Sequence, residues 1–174
     1  MRFFEQDQKS ENLHWLASRA LVNYIFPNKK TEISKDLFNK PSLKIDDNEF
    51  HISITHSFEF AAIIVSKNKT VAIDIEKLDE RIQRVKHKFM RDDEMQYVKK
   101  ENATEMLVTI WSAKETLYKY YGKKELDFKE NLKIEPFTFL SKFELSGLIQ
   151  KENLNQKLIT NAEVIDGYIL TYIS

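Results

Sequence analysis

Between positions 71 and 76 the chain reads Val-Ala-Ile-Asp-Ile-Glu, so Val71, Ile73 and Ile75 alternate with Ala72, Asp74 and Glu76. A period of two with three β-branched side chains on one face commits this stretch to a half-buried strand. Asp74 and Glu76 then leave the opposite face together, about 7 Å apart along the strand. Two carboxylates so placed repel, and each raises the other's pKa unless a cation stands between them. Hard cations such as Mg²⁺ take oxygen ligands, often one or two carboxylates plus substrate phosphates.

A second stretch, Trp111-Ser112-Ala113-Lys114-Glu115-Thr116-Leu117-Tyr118-Lys119, fits the same chemistry. Trp111, Glu115 and Lys119 recur at i, i+4 and i+8 and share one side of a helix. Turned toward the strand, that side adds Glu115 as a third oxygen ligand beside Asp74 and Glu76. Lys114 and Lys119 would be cations for phosphate oxygens, which lysine binds as a point charge. Each half alone has an ordinary reading: an acidic strand face, and an i,i+4 ion pair on an exposed helix. Together they describe a site for Mg²⁺ and a phosphate ester.

The order of these motifs resembles that of the 4′-phosphopantetheinyl transferases, specifically the larger surfactin-synthetase-activating type. Their strand reads hydrophobic-Gly-hydrophobic-Asp-x-Glu, here with Ala72 in place of the glycine, and their helix motif Trp-Ser-x-Lys-Glu-x-x-x-Lys is complete from Trp111 to Lys119. Ile52-Ser53-Ile54-Thr55-His56-Ser57 is similar to the family's Ile-Ser-His-Ser segment, with Thr55 replacing a serine. Phe38-Asn39-Lys40-Pro41 is similar to its Gly-Lys-Pro turn, with asparagine for glycine. The likeness is good over residues 38–135 and loose elsewhere.

The resemblance implies an α+β fold of two similar halves, antiparallel strands packed on helices, with the active site between them. It places pseudo-halves at about 1–76 and 77–174 in a single domain. It also implies transfer of the phosphopantetheine arm from coenzyme A to a serine of an acyl or peptidyl carrier protein, releasing 3′,5′-ADP. Mg²⁺ would be held by Asp74, Glu76 and Glu115. Glu115 and Lys119 would be catalytic, Glu115 or a metal-bound water being the base. Coenzyme A would meet Lys40, Thr55, His56, Lys114 and Lys119. The N-terminal half is short for this type, which leaves its 3′-phosphate contacts open; Lys9, Arg19 and Lys40 are the candidates. Two other classes stay open: a non-catalytic coenzyme A or carrier-binding module on the same fold, and a metal-dependent phosphohydrolase.

Composition narrows the classes further. With 174 residues, 42% hydrophobic, and three glycines and three prolines, the chain has the makings of one folded domain. Lys+Arg and Asp+Glu are balanced at 27 each, which gives no support for nucleic acid or an anionic membrane as partner. Without cysteine there is neither disulfide nor thiolate site, and no apolar run reaches the roughly 20 residues of a membrane span. A cytoplasmic, monomeric protein is expected. The basic run with Arg81, Arg84, Lys86 and Lys88 is a solvated face or, by the resemblance, a surface for an acidic carrier.

The remaining elements follow from periodicity. A helix is expected over 11–26, with Ser10 as its N-cap and an apolar stripe of Leu13, Leu16, Ala17, Ala20, Leu21, Tyr24 and Ile25. Arg19 falls away from that stripe. Residues 28–49 read as loop, 50–55, 60–66 and 71–76 as strands with the last two forming a hairpin, and 79–101 as two charged helices. A helix over 103–121 ends at Gly122 in a left-handed cap. Further strands are expected at 131–134, 137–145, 147–151, 158–164 and 168–173, the last pair joined by the turn Asp166-Gly167.

Overall fold

The computed structural model describes residues 8–174, with side chains from Leu13 onward. Lys9 therefore lies outside the described side chains, and Ser10 falls inside the first helix rather than at its start. The chain builds two antiparallel sheets, each carrying one long helix, an α+β architecture. The first half consists of α1 (Gln8–Ile25), β1 (Thr31–Lys35), β2 (Pro41–Ile45), β3 (Asn48–Ser57) and β4 (Phe60–Ser66). Its sheet has the order β1-β2-β3-β4.

The stretch expected to be loop thus supplies two strands. Each is only five residues long, with Ile33, Leu43 and Ile45 as the inward positions, too few for alternation to stand out. The turns are made by Asn39 and Asp46, both at positive φ. The Asp36 carboxylate accepts the N–H groups of Phe38 and Lys40, both at 2.8 Å, a short polar residue closing a turn locally.

Helix α1 is turned relative to its apolar stripe. His14, Ser18 and Val22, at i, i+4 and i+8, form its inward side, while Leu13, Leu16 and Tyr24 are exposed. Val22 packs with Leu43, Ile45 and Ile52 in the smaller of two apolar cores.

The second half consists of β5 (Ala72–Lys77), α2 (Ile82–Val85), α3 (Asp92–Met95), α4 (Ala103–Tyr121), β6 (Leu132–Ile134), β7 (Lys142–Lys151), β8 (Leu154–Ile165) and β9 (Tyr168–Ile173). Its sheet order is β5-β9-β8-β7-β6. The β4–β5 hairpin expected from sequence does not form: β5 crosses to this sheet and pairs with β9, Asp74 opposite Thr171. The other edge of β5 faces β3, where side chains replace a partner strand. The N–H groups of Ile73, Ile75 and Lys77 donate to the hydroxyls of Ser53, Thr55 and Ser57, at 3.1, 3.2 and 3.4 Å. Both strands repeat every two residues, so one register satisfies all three donors. This ladder joins the halves.

Residues 79–101 do carry two helices, but short ones interrupted by turns. Helices α2 and α3 have four residues each, with 3₁₀ turns at Lys86–Lys88 and Lys100–Asn102. Phe89 and Met90 are drawn into the larger core, and the Phe89 carbonyl accepts from a lysine side chain instead of a helical N–H.

Helix α4 ends as expected, with Gly122 at φ 74°. It packs on the sheet through Leu107, Ile110, Trp111 and Leu117 against Ile134, Leu145, Ile149 and Ile169. Strand β7 passes unbroken through Gly147, and residues 137–141 lie outside it. A Cβ at Gly147 would stand 2.7 Å from Leu117 Cδ1, so the helix sits this close only because the side chain is absent. No described helix is long and apolar enough to cross a membrane.

Candidate active site

Asp74 is the centre of the site, buried where β5 lies between β3, β9 and α4. Five side chains from three elements fix its neighbourhood. Thr55 Oγ1 and Lys119 Nζ donate to Oδ1 at 3.1 and 2.7 Å, and Ser112 Oγ donates to Oδ2 at 2.9 Å. Thr171 Oγ1 stands 2.9 Å from Ser112 Oγ, and Thr116 continues the hydroxyl chain at 2.7 Å. Lys119 also donates to the Ile73 carbonyl at 3.0 Å. A carboxylate so well supplied with donors holds one orientation.

Glu76 lies two residues along the same face, and Trp111 Nε1 donates to its Oε1 at 2.9 Å. Trp111 is thus both a core anchor, edge-on to Phe89, and a hydrogen-bond donor to the site. Burial, then the Asp74 charge, pushes the Glu76 carboxyl up to about 8. Glu115, one turn beyond Trp111, is pushed up to about 7 by burial and again by Asp74, with Lys119 opposing. Glu76 and Glu115 therefore both feel the Asp74 charge.

They do not yet stand as a formed ligand cage. Among the described residues no three His, Cys, Asp or Glu side chains meet the geometry of a metal cluster. Asp74 is turned to Lys119 and hydroxyl donors and Glu76 to Trp111. In kind, however, the donors fit a hard divalent cation. They are all carboxylate oxygens, Asp74 buried and Glu76 and Glu115 half-buried. The raised carboxyls of Glu76 and Glu115 owe their shift first to burial and then to the Asp74 charge, which a bound cation would offset.

Beside this cluster, and sharing Lys119 with it, lies a cavity of about 910 Å³ between the two halves. Helix α1 contributes His14, Trp15, Ser18 and Arg19; the first sheet and its turns contribute Lys35, Lys40 and His56; α4 and the turn after it contribute Tyr118, Lys119, Gly122 and Lys124. Among the described residues that line it there is no Asp or Glu. A wall with five Lys or Arg side chains and no acid is suited to an anion.

The sequence-based site residues divide accordingly. Lys40, His56 and Lys119 line the cavity. Lys40 Nζ donates to the Tyr120 carbonyl at 2.9 Å, a cation at the negative end of α4, and burial pulls its pKa down. His56 stacks on His14, ring centroids 3.7 Å apart.

Two expectations are corrected. Thr55 does not face the cavity: its hydroxyl is buried against β5, accepting from Ile75 and donating to Asp74, so it positions a carboxylate rather than touching coenzyme A. Lys114 does not reach the site at all. It is fully buried on the other side of α4, donating to Glu94 Oε2 and to the carbonyls of Phe89 and Phe128 at 2.7–2.9 Å. Arg19, Trp15, Lys35 and Lys124 are the cavity residues that sequence reasoning undervalued or missed. Their signal was weak because the turned α1 brings in Trp15 and Arg19, an unrecognised strand brings in Lys35, and the turn after Gly122 brings in Lys124.

The class defined by this fold and site is an α+β protein with an acidic cluster that shares Lys119 with a cation-lined cleft between its two halves. The family model described as the 4′-phosphopantetheinyl transferase superfamily matches residues 70–173, from just before β5 to the end of β9, and the chain belongs to that superfamily. No curated protein matches the chain. Membership supports phosphopantetheinyl transfer as the general activity.

Proposed function

We propose that the protein transfers 4′-phosphopantetheine from coenzyme A to a serine of an acyl or peptidyl carrier protein, with Mg²⁺, and releases 3′,5′-ADP. The observation that carries this reading is Lys119, which belongs at once to the acidic cluster, through Asp74, and to the cation-lined cavity. Such a residue stands where a pyrophosphate would pass from the nucleotide pocket to the metal ligands. A helix-and-sheet half from 8 to 66, added to the matched half, favours the larger surfactin-synthetase-activating type. A monomer working in the cytoplasm suits that arrangement.

The serine Oγ attacks the phosphorus that carries the pantetheine arm. The new O–P bond forms as the bond to the nucleotide's phosphate breaks. Mg²⁺, when bound by Asp74, Glu76 and Glu115, supplies charge neutralisation for the pyrophosphate and the leaving 3′,5′-ADP. Lys119 and Lys40 hold phosphate oxygens by fixed positive charge, and His56 offers a ring N–H to the same group. Glu115 receives the serine proton, directly or through a water. Thr55 and Ser112 keep Asp74 from rotating.

Intact-mass spectrometry of apo carrier proteins, incubated with coenzyme A, Mg²⁺ and this protein, is the test. A phosphopantetheine-sized gain with wild type and none with Glu115→Gln is expected. Coenzyme A binding without gain on fatty-acid, polyketide and peptide carriers alike would reduce the protein to a binding module.

A further inference from the structure

Two observations on α1 stand apart from the phosphate chemistry. Trp15 is 54% exposed, although an indole is among the side chains with most to gain from burial. Four residues on, the Arg19 guanidinium lies over the indole, its Cζ 3.6 Å from the ring centroid, and Nη1 donates to the Trp15 carbonyl at 3.3 Å. The i,i+4 spacing puts both on one helix face, and the cation–π contact plus the hydrogen bond holds the guanidinium over the ring. Both side chains line the 910 Å³ cavity.

We propose that the Trp15–Arg19 pair is a stacking platform for the purine base of the nucleotide that occupies this cavity. The proposal rests on the transferase reading, which makes that nucleotide coenzyme A. The cavity runs between α1 and α4, and Lys119, on the α4 side, is tied to the reacting end through Asp74. Phosphates at Lys119 and Lys40 leave the α1 side for the base. A purine has a flat π-face and little charge, so a cationic wall alone cannot hold it in place. An indole with a guanidinium stacked on it offers a flat surface of apolar and cationic character, on which a base continues the stack. A volume of this size accommodates a nucleotide. The exposure of Trp15 then has a physical reason: its ring is the floor of a subsite.

The test measures binding of three probes, coenzyme A, 3′,5′-ADP and 4′-phosphopantetheine, to wild type, Trp15→Ala and Trp15→Phe. Because Trp15 is exposed, the variants should fold, which circular dichroism checks. Trp15→Ala is expected to weaken coenzyme A and 3′,5′-ADP by about tenfold to a hundredfold, and to leave 4′-phosphopantetheine, which has no base, unchanged. Trp15→Phe should recover most of the loss. Coenzyme A binding by wild type that is insensitive to Trp15→Ala, or equal losses for all three probes, overturns the platform and leaves the transferase reading standing. Wild type that binds none of the three overturns both.

Discussion

Helix α4 carries two lysine–carboxylate pairs five residues apart, and their local chemistry is nearly the same. Lys114 meets Glu94 at 2.8 Å, and Lys119 meets Asp74 at 2.7 Å. The first pair is fully sealed, 0% exposed on both sides, while Lys119 keeps 27% of its side chain open to the cavity. Around Lys114 the remaining donors are consumed by the Phe89 and Phe128 carbonyls. The Glu94 carboxylate is equally occupied, accepting from the N–H groups of Arg91 and Ile134 at 2.9 and 2.8 Å. That pair ties the broken segment around α3, and the approach to β6, to the helix. The Lys119 pair leaves charge accessible where a ligand can compete for it. What separates a structural ion pair from a functional one is solvent access, not distance.

The largest expected break in this comparison is Lys114→Ala. It would strand the Glu94 charge and two carbonyls in a dry interior, destabilising the protein by about 3–5 kcal/mol; a denaturant midpoint unchanged from wild type would refute the structural assignment. Lys119→Ala should do the reverse. Transfer should fall by about 10²–10³-fold, while unfolding shifts less than in Lys114→Ala, because Lys119 is partly open to solvent and Thr55 and Ser112 still donate to the buried Asp74. Single-turnover rates set beside melting curves for both variants would distinguish the two roles.

The raised carboxyls sharpen the contrast further. Glu76 and Glu115 have folded values of about 8 and about 7 against an ordinary 4.5. Between those limits the folded chain holds protons that the unfolded chain has lost, so metal-free stability falls as pH rises from about 5 to about 8. The penalty is absent below about 4.5 and complete above about 8. Unfolding curves at pH 5 and pH 8 should therefore lie closer together in Glu76→Gln than in wild type, the remaining gap belonging to Glu115. Mg²⁺ should restore wild-type stability at pH 8; if it restores the variant equally, Glu76 is not a ligand.

The smallest effect is expected at Gly122→Ala. The left-handed φ costs about 1 kcal/mol with a Cβ present, and that atom would lie 2.5 Å from Lys40 Cδ. Displacing Lys40 from the Tyr120 carbonyl should raise the KM for coenzyme A a few-fold, measurable in a steady-state assay. Lys114's surroundings should not notice.

Local patterns were legible where the physics is local. β5 announces itself by alternation, α4 by its apolar spacing and Gly122, and the convergence of Asp74, Glu76, Glu115 and Lys119 comes from those two periods. Positions 114 and 119 are about 140° apart around a helix. The spacing thus says they point differently, but not which direction is sealed. The α1 stripe misled because Leu13, Leu16 and Tyr24 look like a core face, while packing against β4 selected the side of His14, Ser18 and Val22. β1 and β2 were hidden because five-residue strands with one or two apolar positions are too short for a period to show.

The sequence by itself determined the strand, the helix, the acidic cluster with its lysine, and the family resemblance, since each is written in neighbours along the chain. Only the tertiary structure decided that β5 leaves its expected hairpin for β9, that Thr55 positions Asp74, that Lys114 is entombed, and that Trp15 and Arg19 line the cavity. Those outcomes depend on which faces meet across the two sheets, and that is set by competition among contacts far apart in sequence.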